Sequence, residues 1–256
     1  MWSLCLSGQT ATRIPLRNRT NSGIELKGMV INMKLEGLVV NFLGDSITEG
    51  SGVTNVAECR YDNVLMREYG LAAVNNYGIG GTRLAHQEKP SEKPRYDLCF
   101  CGRAFNMDPG ADLIIVYGGV NDYIHGDAYF GTMEDRTPET YCGAIYFLME
   151  TLKTLYPGKP IVFMTPAHMH FRGVSDREVS PRPMKKPDAR PLYAYVDAIK
   201  ARGAELGIPV LDLFEKLGID PNNEDEKARY TVDGLHFNDE GQVLMARVLG
   251  EFLTSL

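Results

Sequence analysis

From Gly37 onward, short apolar runs alternate with longer stretches in which apolar residues recur at helical spacing. The runs are residues 38–43, 72–75, 113–117, 161–165 and 209–213. Runs of this length, rich in β-branched residues and followed by amphipathic stretches, predict repeated βαβ units around a mostly parallel sheet. After the third run, Thr137 as cap and Pro138 as first residue predict a helix with Tyr141, Ala144, Ile145, Leu148, Leu152 and Leu155 on one face, stopped by Pro157-Gly158. Leu192, Val196, Ile199 and Leu206 predict a second helix, and Leu244, Val248, Leu249 and Phe252 a last one behind an Asn238 cap. Residues 168–190, with Pro181, Pro183 and Pro187, read as one long irregular connector, equally a binding loop or a solvated surface loop.

Composition narrows the class. The chain has 256 residues, 44% hydrophobic and 23% charged, with no linker-like break between the strands, which predicts one domain over residues 33–256. A net charge of −6 gives no electrostatic case for nucleic acid or an anionic membrane as partner. Residues 1–32 carry Arg13, Arg17 and Arg19 without an apolar period and are expected to form a loose arm; Met33 is an alternative start. The apolar stretch at Met1–Cys5 turns polar at Ser7, too soon for an export signal or a membrane span. Five cysteines, an odd number, suit reduced thiols, so a cytoplasmic location is expected. Cys99 and Cys101 have no second pair at zinc-site spacing, and no metal site is expected.

In open parallel sheets, ligands bind beyond the carboxyl ends of the strands, so the residues that follow each run are where chemistry is sought. After the first comes Gly44-Asp45-Ser46-Ile47-Thr48-Glu49-Gly50, a turn that can place Ser46 at a helix start, as a nucleophile with a free amide or simply as part of a capped turn. After the second comes Asn76-Tyr77-Gly78-Ile79-Gly80-Gly81-Thr82; Arg83 stands where a dinucleotide fingerprint needs its third glycine, which makes that cofactor reading weak. After the third, Gly118-Gly119-Val120-Asn121-Asp122 offers a side-chain amide for an oxyanion, or a plain turn. Near the C-terminus, Asp233 precedes His236 by three residues in one loop, which lets the carboxylate orient the imidazole; a structural histidine is the alternative. His86, His125, His168 and His170 show no comparable partner.

Together and in order, these blocks resemble the SGNH (GDSL-like) hydrolase family, from about Leu38 to the C-terminus. Thr82 stands where many members carry Asp, and Ile47 replaces the leucine of the literal motif. The resemblance implies a flavodoxin-like three-layer α/β/α sandwich with a five-stranded parallel sheet. It implies a triad of Ser46, Asp233 and His236 and an oxyanion hole of the Ser46 and Gly81 amides with the Asn121 side chain, and it requires no metal or organic cofactor. Gly81 is matched because it follows Asn76 by five positions. Asp45, Asp122, Arg83 and Tyr123 are expected to support the site or the substrate. The partner is expected to be a small-molecule ester, with a small acyl group such as acetyl on a carbohydrate or other polar carrier. That expectation rests on Arg83, Tyr123, His125 and the connector as polar lining, and on the absence of a long apolar lid segment. A catalytically inactive carbohydrate-binding module on the same fold is the alternative; a nucleotide binder is disfavoured because Asp45 and Glu49 would repel phosphate. Nothing in the sequence sets the oligomeric state.

Overall fold

The computed structural model describes residues 33–256; the expected N-terminal arm, with Cys5, lies outside the described residues. Five strands, β1 (Val39–Gly44), β2 (Ala73–Gly78), β3 (Leu113–Tyr117), β4 (Ile161–Met164) and β7 (Val210–Leu211), form one sheet in the order β2-β1-β3-β4-β7, every neighbouring pair parallel. Between β4 and β7, β5 (His170–Phe171) and β6 (Val174–Ser175) make a small antiparallel hairpin.

The central strands are apolar at nearly every position because they are covered on both faces. Asn41 is the polar exception in β1. Its amide donates to the Asp108 carbonyl and the Tyr156 hydroxyl at 2.8 and 3.1 Å and its oxygen accepts from Asn75, so its burial leaves nothing unpaired.

Six helices position the site: α1 (Ser46–Glu49), α2 (Tyr61–Tyr69), α3 (Val120–His125), α4 (Tyr141–Leu155), α5 (Leu192–Leu206) and α6 (Asp239–Thr254). α2 packs against α6 and α4 against α5, which with the sheet gives the expected three-layer α/β/α sandwich. No helix among the described residues is long and apolar enough to cross a membrane.

Three local expectations shift. α4 is capped by Thr140, not Thr137: the Thr140 hydroxyl accepts from the Gly143 amide at 3.1 Å, while Asp135 accepts from the same hydroxyl at 2.8 Å and fixes the cap. β7 is shorter than residues 209–213 because Asp212 already caps the next turn, accepting from the Glu215 amide. The 168–190 connector is not one irregular loop. It begins with the β5–β6 hairpin and is then tied to α3, with the Ser180 hydroxyl on the Ile124 carbonyl at 2.6 Å and the Lys185 ammonium on the Asp122 and Gly126 carbonyls.

The order β2-β1-β3 matters most for function. The chain leaves β1 toward one edge and returns on β1's other side, so the loops after β1 and β3 diverge and open a crevice at that switch point. Ser46 and Asn121 follow those two strands.

Candidate active site

Ser46 is the first residue of α1 and lines a cleft of about 800 Å³ shared with Gly81, Asn121 and His236. Asp45 caps α1, its carboxylate accepting from the Ile47 amide at 2.9 Å. A side chain at Gly44 would put its Cβ 1.9 Å from the Thr48 hydroxyl, so only glycine lets the strand turn this tightly into the helix. A second cavity, of about 300 Å³, lies near Pro160 and Pro209 at the opposite ends of β4 and β7 and is lined by no serine, cysteine or histidine.

The loop ahead of α6 supplies the partners. His236 Nε2 stands 3.0 Å from Ser46 Oγ, and His236 Nδ1 stands 2.8 Å from Asp233 Oδ2. The other oxygen of Asp233 accepts from the Leu235 and His236 amides at 3.0 and 2.9 Å, which locks the carboxylate against its own loop. Burial alone would raise this carboxyl, but the hydrogen bonds from the His236 ring, its backbone and Leu235 outweigh it and hold Asp233 below the usual aspartate value. An ionised Asp233 on Nδ1 requires a proton there, which leaves Nε2 as an acceptor facing the serine.

On the other wall, a chain of contacts fixes Asn121. Arg83 Nη2 lies 3.0 Å from His125 Nδ1, and His125 Nε2 lies 2.9 Å from Asn121 Oδ1. A guanidinium can only donate, so Nδ1 accepts, the ring proton sits on Nε2, and Asn121 must present its oxygen to His125. Its NH₂ is thereby turned the other way, where it donates to the Thr82 carbonyl at 3.1 Å. Burial, with the charges of Arg83 and Lys185, pushes His125 down to about 3, so it remains a neutral spacer. The amides of Ser46 and Gly81 donate to no acceptor among the described residues, although both residues line the cleft. Gly81 has φ +79°, and a Cβ there would come within 2.5 Å of the Tyr96 ring. No group of three or more His, Cys, Asp or Glu side chains among the described residues is placed to hold a metal ion.

Beneath these groups lie two carboxyls that are never solvated. Burial raises Asp45 to about 7 despite the Ile47 amide and the charges of His236 and Arg103, and one of its oxygens has no partner. Burial raises Asp122 to about 6, opposed by the Ala85 and Leu84 amides that it accepts from at 3.0 and 2.9 Å. Both values exceed the roughly 4 of an unfolded aspartate, so between about pH 4 and 7 the native protein holds protons that the unfolded chain has lost. Stability contributed by these groups therefore falls as pH rises through that window. Asp45→Asn keeps an acceptor for the Ile47 amide and removes the ionisation. Denaturant unfolding should find it more stable than wild type by on the order of 2–4 kcal/mol at pH 8, with the difference vanishing near pH 4.

Tyr123 does not line the cleft. Its ring is fully buried and its hydroxyl donates to the Ser175 and Glu178 carbonyls at 2.7 and 2.8 Å, which makes it an anchor for the connector rather than a substrate contact. His125 and His168 both have partners that the sequence concealed: Arg83 for the first, and for the second Asp176, 2.5 Å from His168 Nδ1. The His168 ring lies on Phe214, outside the residues that line the cleft. Arg103 was not foreseen at all. It joins the ends of β1 and β2 to the Gly81 loop by donating to the Gly44 and Tyr77 carbonyls and the Thr82 hydroxyl. A lone arginine in a helical stretch gives no sequence signal for that role.

A β2-β1-β3-β4-β7 parallel sheet with a nucleophile-type serine after β1 and a histidine–aspartate loop before the last helix defines the SGNH hydrolase class. The GDSL-like lipase/acylhydrolase family model matches residues 42–244, and the chain belongs to that family. Among solved structures, a Lactobacillus plantarum protein is 30% identical with a TM-score of 0.70, covering 85% of this chain and 97% of its own. The aryl esterase of M. smegmatis is 17% identical, with a TM-score of 0.58 over 84% of this chain and 97% of its own. A carbohydrate acetylesterase family member from Sinorhizobium meliloti is 18% identical, with a TM-score of 0.54 over 84% and 96%. The last two are similar in fold alone. No curated protein sequence matches the chain significantly.

Proposed function

We propose that the chain is a carboxylic ester hydrolase that works through an acyl-Ser46 intermediate and acts on a small acyl group, such as acetyl, carried by a carbohydrate or another polar alcohol. The observation that carries this reading is the unbroken chain Ser46 Oγ, His236, Asp233, with spacings of 3.0 and 2.8 Å, at the mouth of a cleft. His236 Nε2 takes the Ser46 proton as Oγ attacks the ester carbonyl carbon, and the imidazolium is stabilised by Asp233. The tetrahedral oxyanion receives hydrogen bonds from the Ser46 and Gly81 amides and the Asn121 NH₂. As the carbonyl re-forms, the bond to the alkoxy oxygen breaks and His236 returns the proton to the departing alcohol. Water then attacks the acyl-serine, giving its proton to the same imidazole, and Ser46 leaves with that proton as the acid is released.

Support for a polar carrier comes from the lining of the cleft, where Glu49, Arg83, Ser91, Arg95 and His125 stand beside the apolar side chains of Ile124, Phe171, Met184 and Leu235. Hydrolysis of p-nitrophenyl acetate, butyrate and octanoate, with acetate release from a peracetylated sugar as a fourth assay, tests both parts. Acetate is expected to be the best of the three nitrophenyl esters. Octanoate as the best would overturn the small-acyl reading, and no turnover of any ester by the folded protein would overturn the hydrolase.

In this mechanism His125 is a positioning residue, acting through Asn121. Its replacement by Ala frees the Asn121 amide to turn over, so kcat should fall about 10-fold, a part of the roughly 10²–10³ for losing a donor, with KM little changed. His125→Gln, which can still accept from Arg83 and donate to Asn121, should recover most of the loss; a structural defect alone would not follow that order.

A further inference from the structure

The protein carries a net charge of −6, yet the cleft beside Ser46 is cationic. Five arginine and lysine residues line it, against two glutamates, Glu49 and Glu92. Two of the cations are already committed. Arg95 meets Glu49 at 2.6 Å, and Arg83 serves His125, the Tyr96 carbonyl and Ser91. The others, Lys93, Arg172 and Arg182, line the same cleft and stand in no ion pair with a described carboxylate. Cations gathered on a concave wall of an otherwise acidic protein focus a positive potential where a ligand enters.

The position of Arg172 sharpens this. It is the one described non-glycine residue with positive φ, +52°, and Gly173 follows at +75°, so the β5–β6 hairpin closes on two consecutive left-handed residues. Such turns favour Asn or Gly at the first position, where a long cationic side chain gains nothing for the turn itself. The guanidinium instead lies 4.9 Å from the Phe171 ring centroid, and that ring stands edge-on to the His236 ring at 5.9 Å. The hairpin backbone is pinned to the same loop, His170 donating to the Gly234 carbonyl at 2.9 Å. The Arg172 guanidinium thus lies on the far side of the ring that meets the catalytic imidazole, at the rim of the same cleft.

We propose that the ester this site takes carries an oxyanion, a carboxylate or a phosphate, outside the reacting acyl group, and that Arg172, Arg182 and Lys93 recognise it. The inference rests on the hydrolase reading above. Guanidinium groups suit planar carboxylate and tetrahedral phosphate alike through paired donors, and Lys93 adds a point charge.

Three acetyl esters of one shape test it: those of methyl 3-hydroxybenzoate, 3-hydroxybenzoate and 3-hydroxyphenyl phosphate. At low salt, kcat/KM for the charged esters should exceed that for the neutral one by about 10- to 100-fold, the range expected of a charge-assisted hydrogen bond. The preference should collapse in 0.5 M salt, about where the screening length shrinks to a few ångströms. Arg172→Gln with Arg182→Gln should abolish the preference and leave the neutral ester's turnover unchanged, a control that also reports intact folding. Which charged ester leads distinguishes carboxylate from phosphate. Turnover of the neutral ester with no advantage for either anion would overturn this proposal and leave the hydrolase standing; turnover of none would overturn both.

Discussion

Ser46→Ala and His236→Ala each lower kcat for ester hydrolysis by about 10⁴–10⁶-fold, and the double variant is no slower than the worse single one. The expectation follows from the 3.0 Å contact between Ser46 Oγ and His236 Nε2, which makes the two side chains one functional unit. Without the imidazole the hydroxyl keeps its proton, and without the hydroxyl the imidazole has nothing to activate. What survives is the rate that the oxyanion donors and substrate binding provide alone. Steady-state kinetics on p-nitrophenyl acetate with the two single variants and the double variant check this. Losses that multiply in the double variant would show that the two residues act separately.

The second large effect is at Asp233. Asp233→Asn should reduce kcat by about 10⁴-fold while the protein stays folded. Its oxygen can still accept from the Leu235 and His236 amides, so the loop survives. The amide NH₂, however, would donate to His236 Nδ1 where the carboxylate now accepts at 2.8 Å. That forces the ring proton onto Nε2, which then faces Ser46 as a donor and cannot take its proton. A loss under 10-fold, measured beside an unchanged melting temperature, would show that Asp233 does not set the tautomer.

The parts of this arrangement that were legible in the sequence share a physical origin. β1 and β3 are covered on both faces, so they appear as apolar runs broken only by Asn41 in β1, and the polar residues directly after them stand out as the places where the sheet meets solvent. That is why Ser46 and Asn121 could be singled out, and the structure brings both to one cleft with Gly81 and His236. Asp233 and His236 were legible because their interaction is local, three residues apart.

What escaped depends on contacts between distant residues or on elements too short to leave a period. The partnership of Arg83 with His125 spans 42 residues, and nothing near His125 announces it. Tyr123 directly follows Asn121's block and is expected from the sequence to support the site or the substrate, but a helix turns successive residues to different sides, and this one points into the connector. Strands of two residues, as in β5 and β6, carry no alternation, so the hairpin with Arg172 was hidden in a proline-rich stretch. The last helix was placed correctly but its face was turned: Met245, Leu249 and Leu253 are buried, with Gly250 admitting Tyr69, while Leu244 and Val248 are only half-covered.

The claim that Ser46 becomes acylated is tested most directly by a serine-directed fluorophosphonate, with intact-mass and peptide analysis of the product. Rapid stoichiometric modification of wild-type protein on Ser46, lost in His236→Ala as well as in Ser46→Ala, is the predicted result. Modification at the same rate without His236, or none on Ser46 in folded wild-type protein, would contradict it.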